Sequence, residues 1–231
     1  MAKIQLCALL ACLLTAGSAV AGPTVAVLKV YGYYAGDGGE FTLTPNLDLT
    51  ERTGEMTTFQ TFCLERSEIA LPGSLYSVVV NDEAILGGNN NGPAGDGGGD
   101  PLDSRTAYLY SHFRAGTLAG YDYTVGPPRI NSAKALQDVI WYLEDEMDRT
   151  WDVGSLQDQF LTAAQAAVNS GEWVGLGNVR VLNTYKLDHA EDEQYRNQDM
   201  LVTVTVPAPG AVALGVLGSC LVGFLRRRHR M

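Results

Sequence analysis

The sequence predicts an α+β fold: a single domain with a mostly antiparallel sheet plus a helical segment, flanked by a signal peptide and a short C-terminal membrane helix. Three observations predict it. Stretches rich in Val, Thr, Tyr and Phe lie near both ends of the body, and three stretches between them carry apolar residues at helical spacing. The roughly 185 residues from 22 to 206 also suffice for one hydrophobic core.

In chain order, residues 1–21 read as an export signal. Lys3 supplies the positive charge, Ile4 to Leu14 is almost wholly apolar, and Ala19-Val20-Ala21 offers a small-x-small cut before Gly22. A cut before Cys12 would leave a very short apolar run. Thr24 to Tyr34 reads as a strand and Gly36-Asp37-Gly38-Gly39 as the turn after it. Glu40 to Leu43, Thr57 to Leu64 and Ser74 to Asn81 also read as extended. The run from Gly87 to Asp100 is dominated by Gly and Asn and is expected to be a long loop. Asp96, Asp100 and Asp103 there do not match an EF-hand pattern.

Three helices are expected next. Ser104 to Ala119 carries Ala107, Tyr110, Phe113 and Leu118 on one face. Ser132 to Met147 opens on a Ser cap and carries Leu136, Val139, Ile140, Leu143 and Met147. Ser155 to Val168 opens on another Ser and is stopped by Asn169-Ser170-Gly171. The acidic run Glu144, Asp145, Glu146 and Asp148 is expected to be a solvated face of the second helix. Asn178 to Lys186 and Met200 to Val206 complete the body as strands.

The C-terminus has three parts. Val206-Pro207-Ala208-Pro209-Gly210 precedes an uncharged run from Ala211 to Leu225, and Arg226, Arg227, Arg228 and Arg230 follow. Fifteen helical residues rise only about 22 Å against a hydrocarbon core of about 30 Å, so 211–225 is a marginal span. The arginines would stay on the cytoplasmic side and leave the body outside. This order of parts resembles the PEP-CTERM sorting signal, with Val-Pro-Ala-Pro-Gly in place of the commoner Val-Pro-Glu-Pro. The resemblance makes 207–231 a sorting tail. It implies an exosortase as processing partner, transient membrane anchoring through the tail, and delivery to the cell surface or extracellular matrix.

Composition excludes several functions. Of sixteen Lys and Arg, five lie in the two ends, whereas all twenty-six Asp and Glu lie in the body, which leaves it a net charge of −15. Such a body does not suit nucleic acid. His112 and His189 are its two histidines, too few for a three-His zinc site. There is no Gly-x-Ser-x-Gly elbow and no phosphate-binding Gly loop, and no cofactor is expected. Cys7 and Cys12 fall in the leader and Cys220 in the tail, so Cys63 is the body's single cysteine. In an exported protein an odd cysteine points to intermolecular pairing or a reactive side chain, although a buried inert thiol is common in any core.

Phe62-Cys63-Leu64-Glu65 ends a predicted strand, and Leu136-Gln137-Asp138-Val139-Ile140-Trp141 lies on a predicted helix where Gln137 and Trp141 share a face. Phe62-Cys63 and Leu136-Gln137-Asp138-Val139-Ile140 resemble the two signatures of bacterial thioester domains of surface adhesins. The resemblance implies an internal thioester between Cys63 and Gln137, shielded by Phe62 and Trp141. It also implies covalent capture of a ligand amine or hydroxyl, without turnover and so without enzymatic activity. A non-reactive structural component of the extracellular polymeric matrix is the competing reading.

Overall fold

The computed structural model describes residues 22–28, 32–36, 38–85 and 99–205. The expected leader, residues 86–98 of the Gly-rich loop with Asp96, the expected sorting motif, the apolar run and the arginine cluster lie outside the described residues. Among the described residues no helix is long and apolar enough to cross a membrane.

The described residues form one domain, with a mostly antiparallel sheet and four α-helices. The elements in chain order are β1 (Thr24–Leu28), β2 (Phe41–Pro45), α1 (Leu47–Thr53), β3 (Phe59–Thr61), β4 (Leu75–Asn81), β5 (Glu83–Ala84) and β6 (Asp100–Pro101). There follow α2 (Ser104–Arg114), α3 (Pro127–Leu143), α4 (Leu156–Ser170), β7 (Val179–Lys186) and β8 (Met200–Thr203). The main sheet has the order β3-β2-β1-β4-β7-β8, and each neighbouring pair is antiparallel.

Its two outer strands also meet. Cys63 forms an antiparallel bridge with Met200, the Leu64 N–H donates to Asp199 O at 2.9 Å, and the Leu201 N–H donates to Phe62 O at 3.2 Å. The Thr61 hydroxyl donates to Leu201 O at 2.6 Å. The sheet is therefore nearly a barrel, and the segment after β3 closes it. Closure satisfies backbone groups that two open edges would leave exposed. Alternation along this segment sends Phe62 and Leu64 to the helix-covered side, while Cys63 faces the sheet interior with Leu43, Leu182 and Met200.

The helices differ from expectation in instructive places. α3 begins five residues before the expected Ser132, on Pro127 and Pro128, whose fixed φ and missing N–H suit the first helical turn. Ser132 is interior to the helix, and its hydroxyl accepts from the Asp122 N–H at 3.0 Å. Every residue from Ala135 to Trp141 is buried, because α3 lies between the other helices and the sheet. Its Leu136 and Ile140 join the helical core while Trp141 joins the sheet core. α4 matches its expected cap, with Ser155 accepting from Asp158 N and Gly171 stopping the helix at φ 74°.

The acidic run is not a solvated helical face. α3 ends at Leu143, Asp145 takes φ 57°, and the Glu146 N–H donates back to Trp141 O at 2.8 Å. The chain thus reverses and buries Glu144 and Glu146.

Candidate functional site

The seam segment just after β3 carries Cys63 and α3 carries Gln137, and closure of the sheet brings the two together. Gln137 is 1% exposed and Cys63 is 4% exposed. The Gln137 side-chain oxygen accepts from the Cys63 N–H at 3.0 Å and from the Gly39 N–H at 2.7 Å. Its side-chain nitrogen donates to Cys63 O at 2.8 Å. The amide orientation follows from its partners. Two backbone donors converge on one atom, which must be the acceptor, and a carbonyl faces the other, which must be the donor. A glutamine expected at the edge of an amphipathic helix thus grips the cysteine's own peptide groups.

Two N–H groups aimed at one carbonyl oxygen polarise the carbon between them. They would also stabilise the oxyanion formed when a nucleophile adds to that carbon. The Cys63 thiol is held as a neutral acid, because complete burial disfavours the thiolate and pushes its pKa up.

Gly39 carries a role that the sequence reading left to a simple turn. A methyl group on Gly39 would sit 2.1 Å from Phe62 Cδ1. One on Gly38, whose φ is +108°, would sit 2.7 Å from Gln137 Cγ and 2.8 Å from the Trp141 ring. Only glycines let this loop reach the amide. The missed signal was Gly38-Gly39 followed directly by a carboxylate, Glu40, which is fully buried.

Glu40 anchors the loop. Arg129, in the first turn of α3, grips it with Nε on one carboxylate oxygen at 3.0 Å and Nη2 on the other. The Tyr121 hydroxyl donates to the same carboxylate at 2.6 Å, and the Arg129 guanidinium lies over the Tyr33 ring at 4.0 Å. Removing one partner of such a pair strands a buried charge. Arg129→Met is expected to destabilise the fold by about 3–5 kcal/mol. A lower denaturant midpoint at unchanged slope would record this.

Phe62 and Trp141 occupy different sides. Trp141 is 8% exposed and lines, with Cys63 and Gln137, a cleft of about 510 Å³. Tyr34, Phe41, Glu65, Lys134 and Asp138 also line it. Phe62 faces away from Cys63, edge-on to Phe113 at 5.0 Å, and braces Gly39 from behind.

Buried carboxyl groups gather near Glu65, two residues on from Cys63, and a further one, Glu144, sits against Asp103 and Thr106. Burial, a hydrogen bond to Glu146 and repulsion from Glu146, Asp199 and Glu68 push Glu65 up to about 10. Burial chiefly raises Asp199 to about 7 and Glu144 to about 8. A raised carboxyl pKa means that the folded state holds protons which the unfolded chain has released. These groups therefore stabilise the fold fully below their unfolded values near 4, and lose that contribution as pH climbs through about 7, 8 and 10 in turn. The melting temperature is expected to be higher at about pH 5.5 than at about pH 8. Each kcal/mol corresponds to roughly 2–4 °C in a domain of this size. Melting curves at the two pH values check it, and a higher value at the alkaline pH would contradict the assignment.

No family model matches the chain. No curated protein matches it either. Among solved structures, the chain is similar to the N-terminal thioester domain of a surface protein from Clostridium perfringens. The TM-score is 0.44 at 14% identity, and the match covers 80% of this chain and 99% of that one.

Proposed function

We propose that the protein is an exported, single-turnover covalent adhesin whose Cys63 and Gln137 form an internal thioester. The observation that carries this reading is the clamp on Gln137. Its amide is bonded to both peptide groups of the one cysteine in the body, and its oxygen sits under two N–H donors.

The chemistry is balanced as follows. The Cys63 sulfur adds to Gln137 Cδ, and negative charge develops on Oε1 beneath the Gly39 and Cys63 N–H groups. The Cδ–Nε2 bond then breaks, and Nε2 departs as ammonia carrying the thiol's proton. Held proximity replaces an external catalyst for this step. A ligand amine later adds to the same carbon, the C–S bond breaks, and the proton from nitrogen finishes on sulfur. The product is an amide linking residue 137 to the ligand, or an ester where a hydroxyl attacks.

The two ends supply the address in this proposal. The leader directs export. The tail built on Val206 to Gly210, the apolar run and the terminal arginines is handed to an exosortase after brief residence in the membrane. The body then acts at the cell surface or in the extracellular matrix.

Intact mass of the purified body tests the chemistry. The expected result is a mass lower than the sequence value by one ammonia, and a Cys63 that resists alkylation until methylamine is added. Methylamine should then add its own mass to residue 137. A full-length mass with freely alkylated Cys63 would refute the thioester and leave a structural matrix component.

A further inference from the structure

The proposed reaction leaves a proton to be managed. A thiol this deeply buried is a poor source of thiolate and a poor leaving group, so its proton needs a partner in both directions. The lining of the cleft offers one. Glu65 is two residues from Cys63 and opens on the same cleft as Cys63 and Gln137. It is 4% exposed, and its carboxyl is hydrogen-bonded to that of Glu146 behind it. Two carboxyl groups bond to each other only by sharing a proton. The Arg66 N–H donates to the Glu146 carboxyl at 2.8 Å, which fixes the position of that second member.

We propose that the Glu65–Glu146 pair is the proton relay of the cleft, with Glu65 passing protons to and from the reacting groups and Glu146 positioning it. This inference rests on the thioester reading. In bond formation the pair accepts the Cys63 proton as sulfur adds to Cδ, and a proton is returned to Nε2 as ammonia leaves. In ligand capture, Glu65 protonates the departing sulfur, and the pair recovers a proton from the attacking nitrogen. No proton is gained or lost overall.

Other charges face the pair from each element packed against it. Asp199 approaches from the residue just before β8, and Glu68 lies on the segment following Glu65. Arg196 binds Glu68 through Nε at 3.0 Å and partly offsets it. Lys134 and Asp138 of α3, with Arg149 beyond it, line the rest of the cleft. Burial first, and then the hydrogen bond to Glu146 and repulsion from the neighbouring carboxylates, favour a neutral Glu65 in a neutral medium.

The test follows methylamine capture in the whole body domain, with rates referred to the free amine. Glu65→Gln keeps a donor to Glu146 and so retains the fold, which melting curves would verify. It is expected to slow capture about 100-fold, within the usual range for a positioned acid or base. In the native protein the rate should fall as pH rises towards about 10, where Glu65 loses its proton. That fall should vanish in Glu65→Gln. Glu146→Gln removes the repelling charge and should move the fall to lower pH, a displacement that a purely structural role would not produce. Equal rates and identical pH profiles in all three proteins would overturn the relay. The ammonia-short mass of the native protein is read separately, so a failed relay with an intact thioester is distinguishable from a missing thioester.

Discussion

Gln137→Ala is expected to abolish covalent capture and to destabilise the domain, whereas Cys63→Ala should abolish capture alone. Gln137 satisfies the N–H of Gly39 and both peptide groups of Cys63 in a fully buried position. Its truncation orphans three backbone groups, each costing about 1–3 kcal/mol unless water reaches it from the cleft. Cys63→Ala removes one small apolar group and leaves every one of those hydrogen bonds in place. Gln137→Glu separates the two effects further. A protonated carboxyl keeps the shape and the donor-acceptor pattern of the amide, but it cannot release ammonia. Denaturant midpoints should rank Cys63→Ala and Gln137→Glu together, well above Gln137→Ala. Intact mass should show the ammonia deficit in the native protein alone. A deficit surviving in Gln137→Glu would disprove the assignment of the acyl group to residue 137.

The second large effect is expected at Gly39. An alanine there drives its methyl into the Phe62 ring, at 2.1 Å without relaxation, and the peptide must move off Gln137. Loss of one of two donors to a developing oxyanion slows acyl chemistry about 10²–10³-fold in known cases. Thioester formation in Gly39→Ala, followed as the appearance of the ammonia-short species, should slow by that factor. Adding Phe62→Leu makes room for the methyl and should restore a large part of the rate. Recovery in the double variant would show that the position of the N–H, and not the methyl itself, sets the rate. An unchanged rate in the single variant would rule out the donor role of Gly39.

Parts of this arrangement were legible beforehand because they depend on neighbours in the chain. Thr24–Leu28, Leu75–Asn81 and Val179–Lys186 read as strands from composition alone, and α4 announced both caps. The short α1 was overlooked, although Asn46 caps it and Gly54 ends it at φ 75°, because seven residues give too little periodicity. Ser132 misled as a cap because a Pro pair five residues earlier is an equally good start. The acidic run misled most. A single left-handed residue, Asp145, reverses the chain and carries Glu146 under Arg66, and no local pattern of charge reports such a reversal.

By itself the sequence determined which groups were available for chemistry: one body cysteine, a glutamine in an apolar helical stretch, and two terminal segments distinct from the body. Local spacing and residue type carry that information, since they set backbone preference and apolar pattern. Only the tertiary structure decided that these groups meet. Cys63 and Gln137 are 74 residues apart, and Gly39 and Gln137 are 98 apart. Their hydrogen bonds exist because the seam at Cys63 and Met200 closes the sheet and α3 is buried against it. The same packing buries the amide and gathers three further carboxyl groups around Glu65. Contacts of that range arise from how the whole chain fills its core, and no short window of sequence contains them.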